Sequence, residues 1–145
     1  MTLKQIHLTL LLSFSGLALG SGQLMADNSY GAIAYSGTSH ISTTAQSWNS
    51  LQEAKNTALY NCNRDTPAKA CYVPVEFQNA CGALAIDYSG TWGGWWQSPS
   101  QAGGNGVNLA LSHAKQKAIQ ACKQYAGPQA QCRVVAERCA VVFNF

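Results

Sequence analysis

The helical-looking block Leu51-Gln52-Glu53-Ala54-Lys55-Asn56-Thr57-Ala58-Leu59-Tyr60-Asn61-Cys62 returns at one constant offset as Leu111 to Cys122, with Leu, Ala, Lys, Ala and Cys identical. Upstream of it, Gly31-Ala32-Ile33-Ala34 returns as Gly82-Ala83-Leu84-Ala85. Downstream, Cys-Tyr-Val-Pro-Val-Glu from Cys71 returns as Cys-Arg-Val-Val-Ala-Glu from Cys132. Three matched blocks in one order are a duplication. A duplicated chain folds as one unit made twice, each copy covering apolar surface that the other cannot bury alone. Counting cysteines closes each copy on a third one, Cys81 or Cys139, and sets the copies at about 30–81 and 82–139.

Each copy reads as strand, strand, helix, strand. The Gly-Ala-x-Ala blocks suit a closely packed strand, and second strands are expected over Ile41 to Trp48 and over Thr91 to Gln97. In the first matched block Leu51, Ala54, Ala58, Leu59 and Cys62 trace one stripe of a helix. Ser50 with Glu53 has the form of a capping box, and Asn108 is the expected cap of the second helix. Ser98 to Val107 (SPSQAGGNGV) has no periodicity and reads as a loop with almost no counterpart in copy one. The expected fold class is α+β: a duplicated strand-strand-helix-strand unit forming a mainly antiparallel sheet of about six strands, with two helices on one face.

Residues 1–20 read as a signal peptide: Lys4 is the positive n-region and Leu8 to Leu19 the apolar run. That run is shorter than the about 20 residues a membrane helix needs. Ala18 and Gly20 set a mature start at Ser21, with Ala26 the alternative, so cleavage is expected between 20 and 26. Residues 27–145 then form a single disulfide-stapled domain, soluble in a bacterial periplasm or outside the cell, with no integral membrane anchor. All six cysteines lie in that part. An even count in a small exported domain reads as three disulfides; the rival, zinc, lacks any C-x-x-C pair. Cys62 ends a helix and Cys71 opens the next strand, so they are expected to pair, as are Cys122 and Cys132. Cys81 and Cys139 remain, as a bond tying the copies together. The formal charge of +3 includes Lys4, and the basic residues form no run of the kind that follows nucleic acid.

The GAIAYS opening, the Ala-Cys helix ends, the central ACGALA block and the order of the six cysteines resemble the small exported bacterial family catalogued as domain of unknown function 4189, over roughly Tyr30 to Cys139. The loop around Gly103-Gly104 and the tail from Val141 to Phe145 depart from it. The resemblance implies export, disulfides and a duplicated fold, and brings no catalytic residues with it.

Beyond the export segment only His40 and His113 remain of three histidines. There is no G-x-S-x-G elbow, no H-E-x-x-H and no glycine-rich phosphate loop, and no cofactor is expected. Glu76 and Glu137 recur between copies and are the one candidate pair of acid/base carboxylates. The strongest candidate is Thr91-Trp92-Gly93-Gly94-Trp95-Trp96. On a strand, Trp92 and Trp96 share one face and Trp95 takes the other, while Gly93 and Gly94 would admit a close ligand backbone. Exposed tryptophans stack on sugars or anchor protein partners; buried ones would complete a core short of large side chains. The expected function is an exported non-catalytic binding or inhibitory module for a protein or an envelope glycan, able to neutralise a secreted toxin or enzyme. The alternatives are a small envelope hydrolase using Glu76, Glu137 or His40, and a structural envelope protein.

Overall fold

The computed structural model describes residues 28–101 and 103–142. The expected signal peptide and its cleavage site lie outside them. Along the chain the elements are β1 (Tyr30–Ser36), β2 (Ile41–Ser47), α1 (Leu51–Asp65), β3 (Tyr72–Gln78), β4 (Ala80–Ile86), β5 (Trp92–Gln97), α2 (Gly104–Ala126) and β6 (Arg133–Ala140). This is the duplicated α+β order that the repeats predict, and all pairing is antiparallel.

One feature of the expected arrangement is corrected. The strands form two sheets of three, β2-β1-β3 and β5-β4-β6, rather than one, and each carries its own helix. The side chains of the central strands explain why. On β1, Ala32 and Ala34 face α1 with Ala54, Ala58 and Cys62; on β4, Ala83 and Ala85 face α2 with Ala114, Ala118 and Cys122. The alternate residues, Ile33 and Tyr35 on β1 and Leu84 and Ile86 on β4, meet in a separate inner cluster with Val75 and Phe77. Small residues on the outer side let a helix lie close, and large ones on the inner side fill the space between sheets. Both faces of each central strand are therefore buried, giving four layers: α1, first sheet, second sheet, α2. Across the middle, β2 lies against β6 and β3 against β5, as an approximate twofold axis requires.

The three disulfides pair as expected: Cys62–Cys71, Cys122–Cys132 and Cys81–Cys139. The first two are equivalent in the two copies, each with a Cα–Cα distance of 6.1 Å. The third does not tie the copies together. Cys81 lies on β4, the first strand of copy two, opposite Cys139 on β6 of the same sheet. Its counterpart in copy one is the pair Tyr30 and Gln78, one residue before Gly31 and one after Phe77. Cysteine counting therefore assigned Cys81 to the wrong copy; strand register places it in the second.

Ser50 caps α1 by accepting a hydrogen bond from the Glu53 N–H at 3.1 Å. The Glu53 carboxylate turns instead to Ser47 Oγ and Asn49 Nδ2, at 2.9 and 2.8 Å. Asn108 caps nothing: α2 begins earlier, after Gly103, so residues 104–107 are helical rather than part of the loop. The buried stripe Gly106, Ala110, Ala114, Ala118, Cys122 runs at four-residue spacing. Packing along that stripe overrides the low helix propensity of Gly104, Asn105 and Gly106.

Candidate functional site

β5 is an edge strand, set in place by the turn that precedes it. Asp87 Oδ1 accepts from the N–H groups of Ser89 (3.0 Å) and Thr91 (2.9 Å), and the Asp87 N–H donates to the Thr91 carbonyl at 3.0 Å. Gly90 sits at φ 84°, a left-handed conformation that a side chain would strain. The register Ile86↔Trp92 through Cys81↔Gln97 follows from this turn.

Alternation along β5 then sorts the aromatic block. Trp92 is half-buried against the inner cluster, its ring 6.1 Å from that of Tyr72. Gly93 faces α2, and a Cβ there would collide with the backbone of Ala118 and Cys122. Gly94 faces the first sheet, and a Cβ there would collide with Val75 Cγ2. The close approach that the sequence reserved for a ligand is thus made by the protein's own helix and sheet. Gly93→Ala is expected to destabilise the fold by about 1–3 kcal/mol, since helix backbone cannot step aside as a side chain can. Gly94→Ala meets only a rotatable valine and should cost less; denaturant unfolding of the two variants checks the order.

Trp95 and Trp96 remain 44% and 53% exposed. Trp96 and Trp95 border a groove of about 540 Å³ between the edges of the two sheets, walled by Pro74–Glu76 of β3, by Gly94–Gln97 of β5 and by Ser98 just beyond it. Trp95 also borders a second groove of about 530 Å³, shared with Ala121, Gln124 and Tyr125 of α2. Volumes of this size suit small ligands or extended chain segments.

The duplication supplies an internal control for these indoles. By register, Trp95 is the counterpart of Ala45 and Trp96 the counterpart of Gln46. Ala45 is buried beneath α1. Gln46 closes the equivalent crevice between β2 and β6 by accepting from Arg138 Nη2 at 3.3 Å, and nearby Ser42 Oγ donates to the Val135 carbonyl at 3.2 Å. One side of the sandwich is sealed with small and polar residues; the other is held open and lined with indole.

The remaining candidates do not converge. Glu76 pairs with Lys55 at 2.6 Å beside α1, and Glu137 with Lys115 at 2.8 Å beside α2, so the two carboxylates sit on opposite outer layers. His113 is exposed on α2, and His40 is exposed at the β1–β2 turn with φ 53°. Burial, then Tyr72 and Asp87, raise the Tyr35 phenol above its ordinary value, so it stays neutral and donates toward the Gly90 carbonyl at 3.4 Å. Burial likewise raises Tyr72, partly offset by a hydrogen bond with Trp92. Among the described residues no group of three or more His, Cys, Asp or Glu could hold a metal ion. No helix there is long and apolar enough to cross a membrane.

A family model described as Domain of unknown function (DUF4189) matches residues 30–139, which span the whole duplicated unit with its three disulfides. The chain belongs to this family. No curated protein and no solved structure matches it. Within this DUF4189 chain, sequence reading found Trp92, Trp95 and Trp96, took Glu76 for a candidate catalytic carboxylate rather than a groove residue, and missed Pro74, Val75 and Tyr125. Aligning β2 with β5 residue by residue would have flagged Trp95 and Trp96, because copy one needs only Ala45 and Gln46 there.

Proposed function

We propose that this DUF4189 chain is an exported, non-catalytic binding or inhibitory module of the bacterial periplasm or extracellular space. Trp95 and Trp96 are its contact residues, and its partner is a protein or an envelope glycan, with neutralisation of a secreted toxin or enzyme as one such role. One observation carries the reading. Copy one builds the same sandwich with alanine and glutamine where copy two holds two half-exposed indoles, so folding alone does not require them. Tryptophans kept in water beside an open groove are the usual anchors of a recognition surface. Three disulfides support an oxidising compartment, and a stapled scaffold keeps the groove ready-made, which lowers the ordering cost of binding.

The test compares stability and partner affinity in the same variants. Trp96→Ala is expected to weaken binding by about 2 kcal/mol or more while the melting temperature hardly moves. Trp92→Ala, whose ring packs on the inner cluster, should lower the melting temperature first. Loss of stability in Trp95→Ala and Trp96→Ala with affinity intact would return both residues to the core and remove the proposed site.

A further inference from the structure

Building on that binding role, we propose that the groove receives an extended, acidic segment of a partner protein, added as a strand along the free edge of β5.

Backbone parity gives the first reason. The Asp87 N–H donates to the Thr91 carbonyl at 3.0 Å, and this pair lies in register with the β4–β5 ladder. Hydrogen-bonded pairs alternate in an antiparallel ladder, so Gly93, Trp95 and Gln97 turn their backbone groups to β4. Trp92, Gly94 and Trp96 turn theirs outward, into the groove between the sheets. Among the described residues strand β5 pairs only with β4, and it carries neither the proline nor the charges that usually blunt an open edge. The facing strand β3 does carry such a block, Pro74, which has no N–H to give. On the twofold-related side the β2 edge is instead tied to β6 through Ser42 and Gln46. An unpaired row of donors and acceptors between two indoles is the geometry of strand addition, with backbone bonds giving affinity and alternate side chains meeting Trp95 and Trp96.

Charge gives the second reason. Glu76, the carboxylate at the groove, is matched by Lys55. Lys117 lies one turn before Ala121 on the flank of α2 that borders Trp95 and, like Lys123, is in no ion pair among the described residues. A segment carrying Asp or Glu beside Trp95 would meet Lys117, while Glu76 is neutralised by Lys55 and the Asp87 carboxylate is taken up by Ser89 and Thr91 at the start of β5.

The experiment selects short linear peptides from a random library displayed on phage against the disulfide-intact mature protein, then remakes the best binder with single backbone N-methyl groups. The expected result is enrichment of Asp or Glu among alternating β-branched and aromatic residues, affinity that falls with added salt, and weaker binding to Lys117→Glu. N-methylation should lower affinity about tenfold at every second residue and leave the intervening ones unchanged. Binders that tolerate methylation throughout, or that show no acidic preference, overturn the inference. If no peptide is enriched but peptidoglycan oligosaccharides bind and Trp96→Ala abolishes that binding, the strand inference fails and the indole site stands. If neither class binds, both fall.

Discussion

Phe77→Ala is expected to remove about 3–5 kcal/mol of stability, the range for deleting a buried aromatic ring. The ring is only 4% exposed and lies in the layer between the sheets. A Cβ on Gly31 of β1 or on Gly82 of β4 would collide with it from either side. Gly31 and Gly82 are twofold equivalents, so the ring sits close to the axis that relates the copies. Its own counterpart is Arg138, which is exposed and reaches away to Gln46. A group on an axis has room for one occupant, and one phenyl ring fills both glycine slots. Loss of the ring leaves a cavity bounded by both sheets that neither can close alone. Arg138→Ala, a surface change, should stay within about 0.5 kcal/mol. Denaturant unfolding under oxidising conditions measures both; similar costs for Phe77→Ala and Arg138→Ala would show that the ring does not bridge the copies.

That ring also marks the limit of what the sequence reveals about this fold. The repeated Leu-Ala-Lys-Ala-Cys stripe and the strand-opening cysteines carry periodicity within one element, so elements, order and disulfide pairing can all be read from them. Whether the strands make one sheet or two depends on what Ile33, Tyr35, Leu84 and Ile86 touch, and those contacts join residues far apart in the chain. Gly31 and Gly82 look like ordinary strand glycines until Phe77 is placed between them. Cys81 precedes Gly82 as Tyr30 precedes Gly31, but counting cysteines overrode that alignment and put it in the wrong copy, which strand register corrects. The Gly-rich start of α2 reads as loop because local propensity says so, while burial of Gly106 and Ala110 decides otherwise. The site divides the same way. The faces taken by Trp92, Trp95 and Trp96 follow from alternation, but their exposure depends on how far β3 stands from β5.

Removing the Cys81–Cys139 bond by a double alanine substitution is expected to cost about 4 kcal/mol, against about 3 kcal/mol for Cys62–Cys71 or Cys122–Cys132. The order follows from chain entropy. The first bond closes a sequence separation of 58, the others 9 and 10, and the freedom withheld from the unfolded chain grows with the logarithm of loop length. Alanine is the appropriate replacement because Cys81 is buried, and a serine hydroxyl there would add a desolvation cost of its own. The closed loop contains β5, the loop after it and α2, every element that builds the indole grooves except β3. Loss of this bond should therefore reach the site as well as the fold. Hydrogen exchange at the β5 amides is expected to accelerate more than at the β2 amides, and partner affinity should fall even where the protein remains folded. In the Cys62–Cys71 variant the two strands should exchange in the reverse order, since that bond anchors α1 to the first sheet. Equal acceleration in both strands, or a larger stability loss from either short loop, would mean that native-state packing rather than chain entropy sets the value of these bonds.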